Sequence, residues 1–366
     1  MVPYLFILIL FVFGLNSSKK YQKKYFYVCF ICMFLLVSLR AWFVGVDTQT
    51  YIEYFLDYKT DTHETEPLWQ LILNTIKAFT GNVQIFLATT AALILIPLFV
   101  LISKRSEYAL FSLFIYYILP NDQGFVFVMS GMRQALAITM ILWMFYAFEN
   151  KKWIWVVVLA SAAFLTHNSS IIAVLFLIVA NLFRPGRKTM VIIVGLGVVL
   201  MLLSYTVKDV FSLIENSSLM QIPFIEDYAS YSDYLIDDYK MSFMDRVFLI
   251  MPPILMTILL LLNPTIMNTL YARLYLFGAI MLIIFSGVPM ISRYFMYFIL
   301  MEIYLLPLLY HSKEYRNNKL LCILLIFVHI IVFLLYLYFN DIRGVDYNMR
   351  RVAPYHFFFE NGFSSY

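Results

Sequence analysis

Three arginines of the chain lie in or beside apolar segments, and each offers a planar, charged fork of hydrogen-bond donors. Arg40 ends one apolar run, Arg133 lies about two turns into another in the sequence Ser-Gly-Met-Arg-Gln, and Arg293 begins a third. Because a charge within an apolar span is costly unless it meets water or a partner, Arg133 is a candidate functional residue. We therefore predict a functional site in which these arginines take part.

Each arginine also has a purely structural explanation. Arg40 and Arg293 could anchor helix ends at a membrane surface, where long basic side chains reach the headgroups. Arg133 could instead pair with a carboxylate, either Asp47 or Glu66. The sequence leaves both explanations open for all three arginines.

Three further residues could take up a proton and so act as a general base. His167, in Thr-His-Asn-Ser-Ser, is the leading candidate, because an unperturbed imidazole has a pKa of about 6.5, close to the working pH. Asp47 and Glu66 would need raised pKa values to accept a proton as effectively. The alternatives are a satisfied core histidine for His167 and a helix N-cap for Asp47.

Four neighbours in the sequence complete the predicted substrate site. They are Thr48, Tyr51, Gln134 and Tyr294. The chain shows no spacing typical of metal ligands, and its three cysteines all lie in apolar runs. We therefore expect neither a metal nor a cofactor, with cationic side chains in place of a divalent ion.

The composition places these residues in a membrane. Of the 366 residues, 63% are apolar and 13% are charged, and the run 83–102 has the roughly 20 residues that cross a bilayer. A soluble fold is excluded, and the net charge of +4 reflects topology rather than nucleic-acid binding. We predict one all-α integral membrane domain over residues 1–366, a polytopic helical bundle of about 12 spans.

Positive charges set the predicted topology. Basic clusters lie between the apolar runs, and Lys and Arg are enriched on the cytoplasmic side of membrane proteins. These clusters begin at Lys19, Lys104, Lys151, Arg184 and Lys313. If all of them are cytoplasmic, both termini lie outside, and the apolar stretch 153–183 must form two short helices that meet outside near His167.

Three longer segments are predicted to lie on the outer side, at residues 41–82, 208–245 and 340–366. The first contains a half-helix at residues 68–79. The second carries eight Asp or Glu with four tyrosines among them. Tyrosine beside carboxylate is typical of sugar contacts, although a solvated acidic loop explains the composition as well.

The order of these motifs resembles the EpsG family of exopolysaccharide proteins, which is related to the Wzy-type polymerases of O-antigen and capsule. The resemblance extends from about residue 40 to the C-terminus, and Val46, where the family often has Thr, leaves the turn intact. The matching residues are Arg40, Gly45, Asp47, Thr48, Tyr51, Glu66, Gly131, Arg133, Gln134, Ala137, His167, Ser169, Pro354 and Tyr355.

The resemblance implies an enzyme of the bacterial cytoplasmic membrane, with a fold like that of multi-spanning polyprenyl-lipid glycosyltransferases. Such an enzyme joins glycan repeat units carried on undecaprenyl diphosphate at the outer face of the bilayer. The resemblance thus implies that Arg40, Arg133 and Arg293 bind the leaving diphosphate, whose growing charge a guanidinium stabilises. It also implies a base for the attacking hydroxyl, which His167, Asp47 or Glu66 could supply. The partners of the enzyme would be the lipid-linked oligosaccharide and the lipid bilayer, with a flippase and a chain-length regulator as further candidates and no nucleic acid.

Two other interpretations stay open. One is another polyprenyl-lipid-dependent glycosyltransferase. The other is a transporter or flippase that binds the same lipid-linked sugar without reacting it. Transporters often show inverted repeats and discontinuous helices at the midplane, and the sequence shows no clear repeat.

Overall fold

The apolar segments of the chain fold into helices. A computed structural model describes residues 1–57, 65–119, 124–203, 243–286, 292–312, 318–343 and 352–360. In these ranges the only β-structure is a single bridge between Arg40 and Phe357. The α-helices are α1 (Val2–Leu15), α2 (Lys19–Ser38), α3 (Thr48–Phe55), α4 (Pro67–Phe79), α5 (Val83–Arg105), α6 (Ala109–Ile118), α7 (Phe127–Ser130), α8 (Met132–Glu149), α9 (Trp153–Thr166), α10 (Ile171–Leu182), α11 (Arg187–Leu203), α12 (Phe243–Leu262), α13 (Pro264–Met267), α14 (Leu270–Ile284), α15 (Ser292–Ile299), α16 (Glu302–His311) and α17 (Lys319–Arg343).

Three described segments are long and apolar enough to cross a membrane: Val83–Arg105, Arg293–His311 and Lys319–Phe339. Six further apolar helices have between 10 and 17 residues. Many apolar side chains of α9 are exposed, with Ile154 at 79%, as a helix that faces lipid requires. These are the features of a membrane protein. The number of crossings, about 12 by sequence, and the side on which each terminus lies stay predictions.

Residues at the two ends of α5 show why this helix begins and ends where it does. The Asn82 side chain accepts hydrogen bonds from the backbone N–H groups of Gln84 at 2.8 Å and Ile85 at 3.1 Å. This satisfies two donors that have no partner in the first turn of a helix. Lys104 and Arg105 lie in the last turn, where positive charge complements the helix dipole.

Two apolar runs that read as continuous in the sequence are interrupted near the predicted site. The stretch 153–183 divides at His167 into α9 and α10, as the charge pattern predicts, with a 3-10 turn at Asn168–Ser170 between them. The run 125–148 also breaks at Gly131, whose backbone angles (φ −93°, ψ 61°) are not helical, and the Phe127 ring lies so close that a Cβ at this position would overlap it. Arg133 therefore lies in the first turn of α8 and not about two turns into a longer helix, as the sequence suggested.

The segment 352–360 returns to the end of α2 and covers Arg40. The backbone N–H of Ala41 donates to the His356 carbonyl at 2.9 Å, and the Phe358 N–H donates to the Leu39 carbonyl at 3.0 Å. The Tyr4 hydroxyl donates to the Val352 carbonyl at 2.7 Å. This part of the predicted outer tail is thus packed against the helices. We call residues 352–360 the return segment.

The predicted segments reach beyond the described residues at several points. Residues 65–82 contain α4 at Pro67–Phe79, one residue longer than the predicted half-helix. Most of the acidic, tyrosine-rich segment, residues 208–242, lies outside the described residues, as do 58–64, 344–351 and 361–366.

A second arginine–glutamate pair lies at the far end of α8. Arg105, the last residue of α5, contacts Glu149, the last residue of α8, at 3.0 Å. The guanidinium lies over the ring of Tyr271, 4.7 Å from its centroid. The pair joins the ends of α5, α8 and α14, opposite the end at which α8 begins.

Candidate functional site

The centre of the candidate site is an ion pair where α8 begins. Arg133 Nη1 donates to Glu66 Oε2 at 2.7 Å, and the side chains are 29% and 9% exposed, respectively. The other carboxylate oxygen of Glu66 accepts a hydrogen bond from the Asn168 backbone N–H at 3.3 Å. The sequence suggested Asp47 or Glu66 as the partner of Arg133, and the ion pair is formed with Glu66. Both Glu66 oxygens are occupied.

Tyr51 supports the Arg133 guanidinium from one side. The guanidinium lies 5.8 Å from the centroid of the Tyr51 ring, and the ring meets Trp69 edge to face at 5.5 Å. Burial raises the pKa of Tyr51, while the positive charge of Arg133 acts in the opposite direction. Tyr51 is therefore a neutral aromatic surface under the cation, an arrangement that stabilises a partly desolvated arginine.

The imidazole of His167 lies in the turn between α9 and α10, with one nitrogen already engaged. The Ser169 backbone N–H donates to Nδ1 at 3.3 Å, and the Ser169 hydroxyl oxygen lies 3.0 Å from the same atom. That hydroxyl is in turn 2.9 Å from the hydroxyl of Tyr297. The three side chains form a hydrogen-bonded chain from α15 to the tip of the α9–α10 turn.

The pKa of His167 differs from the value that made it the leading base candidate. This pKa is lowered to about 4, mainly by burial; the charge of Glu66 opposes the lowering, and the charges of Arg133 and Arg293 add to it. The imidazole is consequently neutral at neutral pH and a weak proton acceptor. The charges of Glu66, Arg133 and Arg293 thus all act on His167.

Gln134 joins α8 to the start of α15. Its amide nitrogen donates to the Arg293 carbonyl at 2.6 Å, and its side chain also contacts the Tyr297 hydroxyl. The Arg293 guanidinium lies 6.0 Å from the centroid of the Phe127 ring. Tyr294, half-buried, shares the first turn of α15 with Arg293. Gln134 is itself only 4% exposed, so it positions α15 rather than facing open space.

The loop before α3 is fixed against the residues that precede Arg133. Gly45 adopts φ +103°, and a Cβ there would collide with the Met129 carbonyl oxygen. The buried Thr48 hydroxyl lies 2.7 Å from the same carbonyl oxygen, and the Val46 N–H donates to the Ser130 hydroxyl at 3.2 Å. Glycine is required here because the backbones approach so closely.

Asp47 occupies the N-cap position of α3, but its side chain makes no capping hydrogen bond. The helix-capping alternative therefore does not explain this residue. The carboxylate is half-buried, and its negative charge helps to raise the pKa of Tyr51. The Arg133 guanidinium lies over the ring of this tyrosine. Asp47 thus lies at the edge of the same cluster.

Arg40 differs from the other two arginines because it is fully enclosed. Its guanidinium donates to the Val37 carbonyl and contacts Met132 Sδ at 3.4 Å. Burial lowers the pKa of Arg40 to about 10, although the nearby Tyr4 and Tyr355 raise it. The residue is 0% exposed, so it lies behind Met132 and the cluster rather than in it.

Sequence reasoning missed two members of the cluster, Ser169 and Tyr297. Ser169 belongs to the motif around His167, and Tyr297 lies one helical turn after Arg293 on the same face, which is a usable signal. Among the described residues, three or more His, Cys, Asp or Glu do not come together as metal ligands.

The fold and the cluster define a class: an all-helical membrane protein whose arginines, carboxylates and histidine gather where several helices begin. The model of the EpsG family matches residues 23–357, and the chain belongs to this family. The match includes every predicted site residue. No curated protein and no solved structure matches the chain. Family membership indicates a glycosyltransferase-like polymerase that acts in polysaccharide synthesis.

Proposed function

We propose that the protein polymerises glycan repeat units carried on undecaprenyl diphosphate, at the outer face of the bacterial cytoplasmic membrane. The product would be an exopolysaccharide, a capsule or an O-antigen. In this reaction a hydroxyl of one lipid-linked unit attacks the anomeric carbon of the growing chain. The bond to the diphosphate lipid breaks, and the diphosphate leaves with the bonding electrons.

The observation that carries the proposal is the convergence of Arg133 and Arg293 on Glu66 and His167. Two guanidinium groups within one cluster suit a diphosphate, because each can bind two phosphate oxygens. Arg133 is held by Glu66 and Tyr51 yet keeps 29% of its side chain exposed, so a ligand can reach it. Arg40 has a supporting role in this proposal, since it is enclosed behind Met132.

We assign proton abstraction from the attacking hydroxyl to Asp47. Asp47 is a half-buried carboxylate whose charge acts on Tyr51 and whose side chain does not cap α3, whereas the lowered pKa of His167 makes the imidazole a weaker proton acceptor. A carboxylate also serves as the general base in inverting glycosidases, where it activates the attacking water. Thr48 fixes the loop that contains Asp47. Gln134 holds the start of α15, where Tyr294 lies.

The test is a purified protein reconstituted in liposomes with synthetic undecaprenyl-diphosphate-linked repeat units. Wild-type protein should form chains of several units with release of undecaprenyl diphosphate. Asp47→Asn should bind the lipid with unchanged affinity and join units roughly a hundredfold more slowly. Asp57→Asn is the matched control, because Asp57 is exposed and its partner is Lys77 on the protein surface.

Two results would overturn the proposal. Transfer of the lipid-linked unit across the bilayer without joining would identify a transporter. Transfer of a single sugar to a different acceptor, with no chain formed, would identify another polyprenyl-lipid-dependent glycosyltransferase.

A further inference from the structure

The hydrogen-bonded chain Tyr297–Ser169–His167 fixes where the imidazole carries its proton. A nitrogen that accepts a hydrogen bond cannot also carry a hydrogen. Because the Ser169 backbone N–H donates to His167 Nδ1 at 3.3 Å, the proton of the neutral ring is on Nε2. The Ser169 hydroxyl, 3.0 Å from Nδ1, adds a second donor when it accepts from the Tyr297 hydroxyl at 2.9 Å.

The other ring nitrogen, Nε2, takes no part in this hydrogen-bonded chain. Nδ1 is turned towards Ser169, which is 4% exposed, and Tyr297, which is 0% exposed, so Nε2 is turned away from these buried groups. Within the described part of the chain, Nε2 has no hydrogen-bond partner. The charges that act on the ring are those of Glu66, Arg133 and Arg293, the residues of the proposed diphosphate site.

We infer that Ser169 and Tyr297 are positioning residues that hold His167 as an Nε2–H donor to a phosphate oxygen of the substrate. The inference deepens the proposed function and depends on it for the identity of the ligand. No proton is transferred through His167 in this step: the ring donates a hydrogen bond that strengthens as negative charge grows on the leaving diphosphate.

A neutral donor suits this position for an electrostatic reason. Two arginines already lie in the cluster, and a third cation beside them would be repelled and poorly solvated. A neutral imidazole adds a directed hydrogen bond without a further charge. The arrangement of Ser169 and Tyr297 is therefore explained by the tautomer that they select, with the proton on Nε2. A histidine that acted as a base through Nδ1 would not need these two residues in this arrangement.

The first experiment reads the tautomer directly and needs no substrate. Protein labelled with ¹⁵N-histidine contains five histidines, and the His167→Gln variant identifies the signals of His167 by their loss. Wild-type protein at neutral pH should show an unprotonated Nδ1 and a protonated Nε2. Ser169→Ala and Tyr297→Phe remove hydroxyl groups of the chain but keep the Ser169 backbone donor, so each should raise the share of the Nδ1–H tautomer without making it dominant. A wild-type ring protonated at Nδ1, or at both nitrogens, would overturn the inference.

Two buried hydroxyls without hydrogen-bond partners provide matched controls. Ser170 is the next residue after Ser169, and among the residues that the structure describes neither its hydroxyl nor the Tyr304 hydroxyl in α16 has a hydrogen-bond partner. Ser170→Ala and Tyr304→Phe should leave the His167 signals unchanged. If these variants alter the tautomer as much as Ser169→Ala and Tyr297→Phe do, the effect is general loosening and the inference fails.

The second experiment measures chain joining in the reconstituted assay. Ser169→Ala and Tyr297→Phe should each lower kcat roughly tenfold with little change in KM, as outer residues that orient a functional histidine do. At position 167 itself, the glutamine amide can place an N–H near the position of Nε2, whereas asparagine is shorter. His167→Gln should therefore keep at least about tenfold more activity than His167→Asn. If His167→Gln and His167→Asn are equally inactive, His167 acts as a base and the inference fails.

The two experiments separate the inference from the proposed function. If wild-type protein joins no lipid-linked units, the proposed function fails, and the ¹⁵N spectra still decide the tautomer. If joining proceeds but the spectra show a proton on Nδ1, only the inference fails.

Discussion

The two ends of α8 carry the same pair of residue types in different surroundings. At its start, Arg133 pairs with Glu66 at 2.7 Å and lies over Tyr51. At its end, Glu149 pairs with Arg105 at 3.0 Å, and Arg105 lies over Tyr271. The arginines are similarly accessible, at 29% and 25% of the side chain.

The difference lies in the glutamates and their neighbours. Glu66 is 9% exposed and accepts a second hydrogen bond from the α9–α10 turn, whereas Glu149 is 40% exposed. The start of α8 also gathers His167 and Arg293, which act on the same charges. The surroundings of the arginine–glutamate pair, rather than the pair itself, therefore make the start of α8 the candidate site, whereas the pair at the far end joins helices.

The largest expected difference concerns the arginines. Arg133→Lys keeps the charge and loses the planar fork, so chain joining should fall roughly a hundredfold or more. Arg105→Lys makes the same change at the other end and should leave the joining rate near the wild-type value. Rates in reconstituted liposomes, at equal protein levels, measure both. Equal losses in the two variants would mean that both pairs are structural.

The next effect concerns the loop that supports the start of α8. Gly45→Ala introduces a Cβ at φ +103° and against the Met129 carbonyl, so it should destabilise the protein by about 2 kcal/mol or more. Gly81→Ala is the control, because a Cβ at Gly81 meets no atom within 4 Å. Thermal unfolding in detergent compares them. Unchanged stability in Gly45→Ala would show that this loop does not hold the site.

A smaller effect is expected when the glutamates lose their charge. Glu66→Gln leaves Arg133 without its counter-charge and should cost about 1–2 kcal/mol, less than for a fully buried pair because Arg133 is partly exposed. Glu149→Gln should cost less than about 1 kcal/mol, since that pair is screened by solvent. Denaturation midpoints of the two variants give the difference, and equal costs would contradict the distinction between the ends.

The smallest expected effect is a dependence of folding stability on pH that arises from His167, near the start of α8. The pKa of His167 is lowered from 6.5 to about 4 in the folded protein, so between these values the unfolded chain binds more protons. The stability that the neutral ring contributes is complete above pH 6.5 and is lost as the pH falls towards 4. Wild-type protein should therefore lose more stability in this window than His167→Gln does. Identical pH profiles would mean that the imidazole is not buried.

Much of the helical fold could be predicted from the sequence, because apolar runs and basic clusters are local signals. The charge pattern located the break at His167, which α9 and α10 confirm. The break at Gly131 carries no charge signal, and the sequence did not predict the non-helical backbone of this glycine or its close contact with Phe127.

The contacts of the site depend on residues far apart in the sequence, so patterns alone could not give them. Types and spacing suggested that Arg133 has a carboxylate partner, but the choice of Glu66 comes from the packing of α4 against α9. The link from Tyr297 to Ser169 joins residues 128 positions apart. The enclosure of Arg40 needs the return segment, whose pairing no local pattern predicts.

The return segment also sets an order of assembly during synthesis. The Tyr4 hydroxyl and the Val352 carbonyl that accepts its hydrogen bond are 348 positions apart. At about 5–20 residues per second, the ribosome needs tens of seconds to make the chain between them. Throughout this time Tyr4 and Arg40 lack the cover that residues 352–360 provide. The packing of α1 and α2 is thus completed by residues that are synthesised much later, and protease protection of Arg40 in a pulse-chase experiment should appear only after residue 357 has been made.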